Sequence, residues 1–183
     1  RGAAEYNASN TTWKMANYEN GYFSKSYALV GDTKVPLAGK ETFAWELPLV
    51  DGCDFTTPEP FIARTATYER DVKNIWSTLC LPYAFNTFDD AEIYSIKDVG
   101  QNKITVTRMV GTIDAGTPVL VRHKAGKGTI KFEATNAEIM TAPTNNTVNL
   151  VGTFEGISVP DNDYIIANDK FWLVSDLKTS GKP

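Results

Sequence analysis

A chain of 183 residues, 42% hydrophobic and 22% charged, is long enough to bury a core and has the composition of a globular protein. The formal net charge of −4 disfavours nucleic acid or an anionic membrane as a partner, since both reward clustered lysine and arginine. No segment approaches the roughly 18 consecutive apolar residues of a membrane span, so we expect no membrane insertion. No signal peptide is visible, but this says nothing about export because the chain starts at Arg1 rather than at methionine.

Strand patterns dominate the chain from residue 64 onwards. Short apolar, threonine-rich or alternating runs lie beside glycine, proline and asparagine, which punctuate strands. These runs predict strands at 64–70, 77–83, 117–123, 128–134 and 148–155, and two strands within 91–109 around a turn at 98–102. The segment 164–175 predicts a hairpin whose tip is Asn168-Asp169, because both residues tolerate positive φ.

Helical periodicity is nearly absent. Single helical turns are predicted at 71–76, with Asp71 as the cap, and at 88–93. Several short strands at a spacing of about 8–12 residues predict an all-β fold with little helix. We expect an antiparallel β-sandwich of the jelly-roll type.

A change in composition near residue 50 indicates the domain organisation. Residues 1–50 hold eight aromatic residues among many asparagines, threonines and serines. The chain therefore divides into an aromatic, Asn-rich β segment at 1–47 and a β-sandwich module at 48–183. The three prolines of 48–61 predict either a linker between two lobes or a long connection within one sandwich. We favour one continuous β unit.

The residues that most catalytic sites need are missing or poorly placed. His123 is the only histidine, and no Cys-x-x-Cys, His-Glu-x-x-His or Gly-x-Ser-x-Gly motif is present. Cys80 lies between two leucines, and an apolar environment raises the pKa of a thiol and makes it unreactive. A Cys80–His123 catalytic pair is therefore disfavoured, and we interpret Cys80 as a buried strand residue. Cys53 and Cys80 form one disulfide or, as we favour, remain two separate thiols.

Carboxylates give no clear catalytic or metal site either. Glu41, Glu46 and Glu92 could pair in a small glycoside hydrolase, but nothing in their sequence context distinguishes them. The turns at 50–54 and 160–164 cluster the oxygen ligands that a structural calcium ion requires. Aspartate, asparagine and glycine are also ordinary turn residues, so we favour plain turns. We predict no catalytic residue, no other metal site and no cofactor.

An aromatic surface beside amides and carboxylates has the composition of a sugar-binding site. The C–H face of a pyranose packs on tryptophan or tyrosine, and its hydroxyls need paired donors and acceptors. Four residues of the N-terminal region have such neighbours, and we predict that they include a stacking platform: Trp13, Tyr18, Tyr22 and Trp45. The alternative is that they are half-buried strand residues. Trp76 and Trp172 we interpret as core residues.

Five stretches between residues 48 and 177 follow a recurrent pattern. They are "LVDGCDF" (49–55), "ATYER" (66–70), "IWSTLCLPYAF" (75–85), "ITVTRMVGTIDAGTPVLVRH" (104–123) and "YIIANDKFWLV" (164–174). In this order they resemble an uncharacterised β module found toward the C-terminal end of large secreted or surface proteins of anaerobic gut bacteria, including some leucine-rich-repeat adhesin-like proteins. The pattern residues are Leu49, Asp51, Gly52, Phe55, Tyr68, Arg70, Trp76, Thr78, Leu79, Cys80, Leu81, Pro82, Ala115, Gly116, Pro118, Leu120, Phe171 and Trp172. The chain departs from the pattern at Cys53, a variable position of the opening motif, and at Tyr83, where the module usually has phenylalanine.

The resemblance implies an accessory module of a larger multidomain bacterial protein, secreted or on the cell surface. It brings no known catalytic residues, and the pattern residues are interpreted as determinants of the fold. We therefore expect a non-catalytic module whose favoured partner is a glycan or polysaccharide. The alternative is a structural spacer or a protein-docking and adhesion domain. A small glycoside hydrolase is the least favoured interpretation.

Overall fold

The computed structural model describes most of the chain after residue 26. The described residues are 27–37, 43–72, 76–87, 90–100, 103–144, 147 and 149–180, with the backbone of two short strands before them. The strands are β1 Glu5–Asn7, β2 Thr12–Lys14, β3 Tyr27–Val30, β4 Thr33–Pro36, β5 Phe43–Val50, β6 Phe55–Thr56, β7 Phe61–Val72, β8 Ser77–Leu79, β9 Phe85–Asn86, β10 Ala91–Val99, β11 Ile104–Met109, β12 Thr112–Ile113, β13 Val119–His123, β14 Gly128–Ile139, β15 Tyr164–Ala167 and β16 Lys170–Leu173. A single helix among these residues, α1, covers Val174–Ser180. The all-β class with little helix is confirmed.

The strands form several small sheets with mainly antiparallel pairing. The two larger sheets have the strand orders β11-β10-β13-β8 and β14-β7-β5, and β4-β3-β6 forms a third. The pairs β12-β9, β15-β16 and β1-β2 are two-stranded. Buried side chains from the three larger sheets belong to one hydrophobic core, as in a sandwich. One pairing differs from the expected antiparallel arrangement, since β5 lies parallel to β7.

The first described segment shares this core. Ala28 and Val30 of β3 and Val35 of β4 are buried in the same cluster as residues of β7 and β14. β6, which lies within the proline-containing stretch 48–61, pairs with β3. The boundary that the composition predicted between segments 1–47 and 48–183 falls inside β5.

The sheet β14-β7-β5 carries a break in the usual alternation of its side chains. Along an undisturbed strand, residues two positions apart share a face. Here the inward-facing residues on either side of the break are three positions apart on all three strands: Ala44 and Leu47 on β5, Ala63 and Ala66 on β7, Ala134 and Ala137 on β14. Trp45, Arg64 and Asn136 lie at this break, between the paired rows Ala44–Ala63–Ala137 and Glu46–Thr65–Thr135. Asn136 has a positive φ of 49°, which accommodates the local distortion.

Most predicted strands are confirmed with shifted ends. The predicted hairpin forms from β15 and β16, and Asn168 and Asp169 at its tip have φ values of 51° and 60°. The strand predicted at 77–83 ends at Leu79, since Cys80 and Pro82 follow it as irregular chain.

Three local predictions are wrong where the structure describes them. Residues 149–155 form no strand; they cross the end of the sandwich, where the carbonyl of Phe154 accepts a hydrogen bond from Phe55 N–H. Instead of a helical turn, Asp71 and Val72 end β7, because they pair with the start of β14. Residues 91–93 begin β10 and do not form a helical turn. Within the two predicted turns, residues 73–75 and 88–89 lie outside the described residues.

Candidate functional site

Of the four predicted stacking residues, the structure describes the side chain of Trp45. Trp13 lies in β2, but its side chain lies outside the part of the chain that the structure describes. Tyr18 and Tyr22 also lie outside that part. Trp45 is 60% exposed, although it sits in the middle of a strand whose other face belongs to the core. Its ring is therefore available to a ligand.

Two neighbours orient the Trp45 ring on the outer face of the sheet. Phe43, two residues earlier on β5, meets it edge to face, with ring centroids 5.3 Å apart and an interplanar angle of 87°. The guanidinium carbon of Arg64, on the adjacent strand β7, lies 5.2 Å from the ring centroid. Such a cation–π contact contributes about 0.5–1 kcal/mol at an exposed site. Both contacts restrict the rotamers of Trp45 and so lower the entropy that a ligand would have to remove.

Polar side chains border the ring because the break in alternation turns two successive residues outward on each strand. Glu46 follows Trp45, Thr65 follows Arg64, and Asn136 lies at the same break on β14. We name this surface the Trp45 face and define it as Phe43, Trp45, Glu46, Arg64, Thr65 and Asn136. It offers one aromatic platform with a carboxylate, a guanidinium, a hydroxyl and an amide around it.

A second feature is a cavity of about 230 Å³ on the inner side of the same strands. It lies between the end of β5, the second half of β7, the chain around β8 and the segment 150–154. Its polar end is built by three side chains that contact one another. Tyr68 Oη donates to Asp51 Oδ1 at 2.6 Å, and Arg70 Nε lies 2.8 Å from the same oxygen and 2.7 Å from Tyr68 Oη.

Further contacts hold this polar group in place. Arg70 Nη1 donates to the carbonyl of Thr78 at 2.9 Å, so the guanidinium ties β7 to β8. Burial, together with the hydrogen bond to Asp51, raises the pKa of Tyr68 far above its ordinary value, so its hydroxyl remains a donor. Asp51 Oδ2 and Arg70 Nη2 make no hydrogen bond with any residue that the structure describes. One acceptor and one donor group are thus left for a ligand.

Both cysteines line this cavity as free thiols. Cys53 is exposed and Cys80 is half-buried, so the two separate thiols that we favoured are confirmed for this structure. Burial raises the pKa of the Cys80 thiol to about 12, which keeps it protonated and a weak nucleophile at neutral pH. The prediction that Cys80 is a buried strand residue is wrong in detail, because it lies just after β8 and faces the cavity. His123 does not line the cavity; its Nδ1 accepts the N–H of Ala125 in the turn after β13.

A third cluster on the sheet β11-β10-β13-β8 includes Trp76. Its ring centroid lies 5.1 Å from that of Tyr94, and Arg122 lies over both rings at 5.3 and 5.6 Å. Arg122 Nε contacts Glu92 Oε2 at 2.5 Å, and this hydrogen bond lowers the pKa of Glu92. A carboxyl group held ionised in this way is a poor general acid for glycoside hydrolysis.

The predicted core positions of Trp76 and Trp172 are wrong, since both rings are half-buried at the edge of the fold. Trp172 Nε1 donates to the carbonyl of Ala167 across the β15–β16 hairpin at 2.9 Å. The backbone N–H of Trp76 donates to Asp169 at the hairpin tip at 2.8 Å. These two hydrogen bonds connect the two strands of the hairpin and tie its tip to the chain before β8.

Three carboxylates of the two predicted calcium-like turns bind protein donors. Asp51 binds Tyr68 and Arg70, Asp54 Oδ1 accepts the N–H of Gly156 at 2.7 Å, and Asp161 pairs with Lys178. Within the described residues, no three His, Cys, Asp or Glu side chains are grouped so that they could hold a metal ion. In that same part of the chain, no helix is long and apolar enough to cross a membrane.

Comparison with known proteins adds no relative to this description. The chain matches no protein-family model, and it has no significant similarity to a curated protein or a solved structure.

Sequence reasoning missed the polar end of the cavity. Asp51, Tyr68 and Arg70 were interpreted as fold determinants within short motifs, and their meeting point depends on pairing between segments distant in the chain. The available signal was that Asp51, Tyr68 and Arg70, together with Thr78, are polar among mainly glycine, proline and apolar pattern positions. Polar residues in such positions need partners, and here the partners are one another.

Proposed function

We propose that this chain is a non-catalytic carbohydrate-binding module that holds a glycan on the Trp45 face. The observation that carries the proposal is the 60% exposure of Trp45 in the middle of a strand, with its ring positioned by Phe43 and Arg64. Exposure of a large apolar ring to water costs free energy, and a partner that covers the ring removes this cost. A pyranose covers it well, because the C–H groups of the sugar pack on the indole while its hydroxyls remain hydrated.

The residues around the ring supply the remaining chemistry. Glu46 accepts from sugar hydroxyls, Arg64 donates to them, and the amide of Asn136 does both. These groups lie on three neighbouring strands of one sheet face, so they form an open surface rather than a closed pocket. An open surface suits a polysaccharide chain that extends past the site in both directions.

The wider setting of the proposal comes from the sequence resemblance. An accessory module of a larger secreted or cell-surface protein would meet extracellular polysaccharide and would keep its parent protein close to it. The protonated Cys80 thiol and the ionised Glu92 support a role without catalysis, since neither group is in the state that nucleophilic or general-acid chemistry needs.

A protein-docking role is the competing proposal, and one observation favours it. Ile62 is also exposed and pairs with Phe43 on the neighbouring strand, which extends the apolar area beside Trp45. A protein partner would use this apolar continuation as the centre of its contact. A glycan would use mainly the ring and the polar border.

Affinity electrophoresis in gels that contain soluble polysaccharides, followed by a glycan array, tests the proposal. Trp45→Ala should weaken retention roughly tenfold, which corresponds to about 1.4 kcal/mol and is typical of a lost aromatic contact. Tyr164→Ala is the matched control, because Tyr164 is an aromatic residue of the same 60% exposure on the β15–β16 hairpin. Both variants should keep the stability of the parent chain, since neither ring is buried.

Two outcomes would contradict the proposal. If the gels retain the parent chain and Trp45→Ala equally, the Trp45 face is not the surface that binds the glycan. If binding also survives replacement of all four predicted residues by alanine, none of these four residues is the stacking platform. A parent chain that binds no glycan but loses a protein partner on Trp45→Ala or Ile62→Ser would establish the docking role instead.

A further inference from the structure

We infer that the cavity at Asp51, Tyr68 and Arg70 is a second binding site, and that it takes a single neutral sugar unit with adjacent hydroxyl groups. The site lies on the inner side of β5 and β7, whereas the Trp45 face lies on their outer side. The inference does not depend on glycan binding at the Trp45 face.

The size of the cavity restricts the ligand to one small ring. Its volume of about 230 Å³ lies below the roughly 300–1,000 Å³ of pockets that bury drug-sized molecules. A space of this volume holds one ring, and an extended chain or a fused ring system would have to project from it. One terminal pyranose, entering by its non-reducing end, fits within it.

The hydrogen-bonding groups left open at the polar end define the chemistry of the ligand. Asp51 Oδ2 is an open acceptor, and Arg70 Nη2 is an open donor group on the guanidinium that contacts Asp51 Oδ1. A ligand must therefore present one donor and one acceptor on neighbouring atoms. Two adjacent hydroxyls of a pyranose do this, since each hydroxyl both donates and accepts.

The charge at this end argues against an ionic ligand. Arg70 is already neutralised by Asp51 at 2.8 Å, so an anion would meet the Asp51 carboxylate as well as the guanidinium. A cation would meet Arg70 in the same way. A neutral ligand meets no such repulsion.

The polar groups are also held ready for binding. The Arg70 side chain is only 19% exposed, and its hydrogen bonds to Asp51, Tyr68 and Thr78 fix the direction of its remaining N–H groups. Tyr68 stays protonated and holds the Asp51 carboxylate from the buried side. Groups fixed before binding lose little conformational entropy when a ligand arrives.

Apolar side chains also line the cavity and can cover the C–H face of a sugar. Leu49, Phe55, Leu81, Pro118 and Phe154 are among them. The mouth includes Val151, which is 71% exposed and makes a suitable position for blocking the site without disturbing the core.

Titration of the ¹⁵N-labelled chain with methyl pyranosides of glucose, galactose, mannose, fucose and N-acetylglucosamine tests the inference. At least one of them should shift the backbone amide signals of Thr78 and Gly152, whose residues line the cavity. Asp51→Asn should raise the dissociation constant at least tenfold, because it replaces an ionised acceptor by a neutral amide. Val151→Trp should abolish the shifts by filling the mouth. Val110→Trp, at a residue that is 79% exposed and does not line the cavity, should preserve them.

The outcomes separate this site from the Trp45 face and from other ligands. Trp45→Ala should leave the cavity shifts unchanged, even where it removes polysaccharide retention. Three results would overturn the inference: no cavity shift with any pyranoside, shifts that persist in both Asp51→Asn and Val151→Trp, or shifts with N-acetylglutamine amide but with no sugar. The last result would assign the cavity to an amide-bearing peptide, and the first would leave the three polar residues a purely structural role.

Discussion

Replacement of Gly152 by alanine should destabilise the protein, because the new methyl group meets occupied space. A Cβ atom at this position would lie 2.5 Å from Cys80 Sγ, 3.1 Å from Pro118 Cβ and 3.2 Å from Cys80 Cβ. The first distance is far below van der Waals contact, and the thiol has one torsion through which to move away. Overpacking of this kind typically costs about 1–3 kcal/mol. For a chain of this size, 2 kcal/mol lowers Tm by about 4–8 °C.

A double-mutant cycle in urea identifies the contact that causes the loss. Cys80→Ala removes the sulfur, so the combined Gly152→Ala and Cys80→Ala variant should be more stable than the two single losses predict, with a coupling energy of about 1 kcal/mol. Gly156→Ala is the matched control, because its Cβ meets only Asp54 Oδ1 at an ordinary 3.5 Å. A zero coupling energy, or a Gly152→Ala variant as stable as the Gly156→Ala control, would refute the close approach of Gly152 and Cys80.

Three further predictions concern the Tyr83 hydroxyl and the two cysteine thiols. Tyr83→Phe keeps the fully buried ring but removes the 3.1 Å hydrogen bond to the carbonyl of Phe132, so urea unfolding should show a loss of about 0.5–1.5 kcal/mol with an unchanged m value; equal stability would mean that this bond has no net effect. Burial holds the pKa of Cys80 at about 12 against an ordinary value near 9, so the unfolded chain releases this proton first as the pH rises. The unfolding free energy should therefore fall between about pH 9 and pH 12, and less steeply in Cys80→Ala. At pH 8 a thiol reagent should label exposed Cys53 quickly and Cys80 only on unfolding; rapid native labelling of Cys80 would contradict this.

Local sequence patterns account for the parts of the fold that form within short segments. The β15–β16 hairpin was predictable because its tip, Asn168-Asp169, consists of residues that accept positive φ between two apolar runs. The strands β10 and β11 were predictable for the same reason, since the turn between them includes Gly100. In each case the residues that determine the element are neighbours in sequence.

Pairing between distant segments was not predictable in the same way. The parallel partner of β5 is β7, and no local feature of either strand selects a parallel over an antiparallel neighbour. The helix α1 was missed because its seven residues are too few for a helical period to show, and its stability depends on tertiary contacts. The cavity was missed because Asp51 and Arg70 are brought together only by the pairing of those same two strands.

The position of Trp45 shows why a correct residue pattern can leave its burial undecided. In the sequence, Trp45, Leu47 and Leu49 are spaced by two, so a regular strand would place all three on one face. If that face were the inner one, Trp45 would be a core residue; if it were the outer one, Leu47 and Leu49 would face water. The break in alternation between Ala44 and Leu47 resolves the conflict, because it turns Trp45 and Glu46 outward and returns Leu47 to the core. The same break on β7 sends Arg64 outward and Tyr68 inward, so one irregularity, shared by neighbouring strands, places the Trp45 face and the cavity on opposite sides of the same sheet.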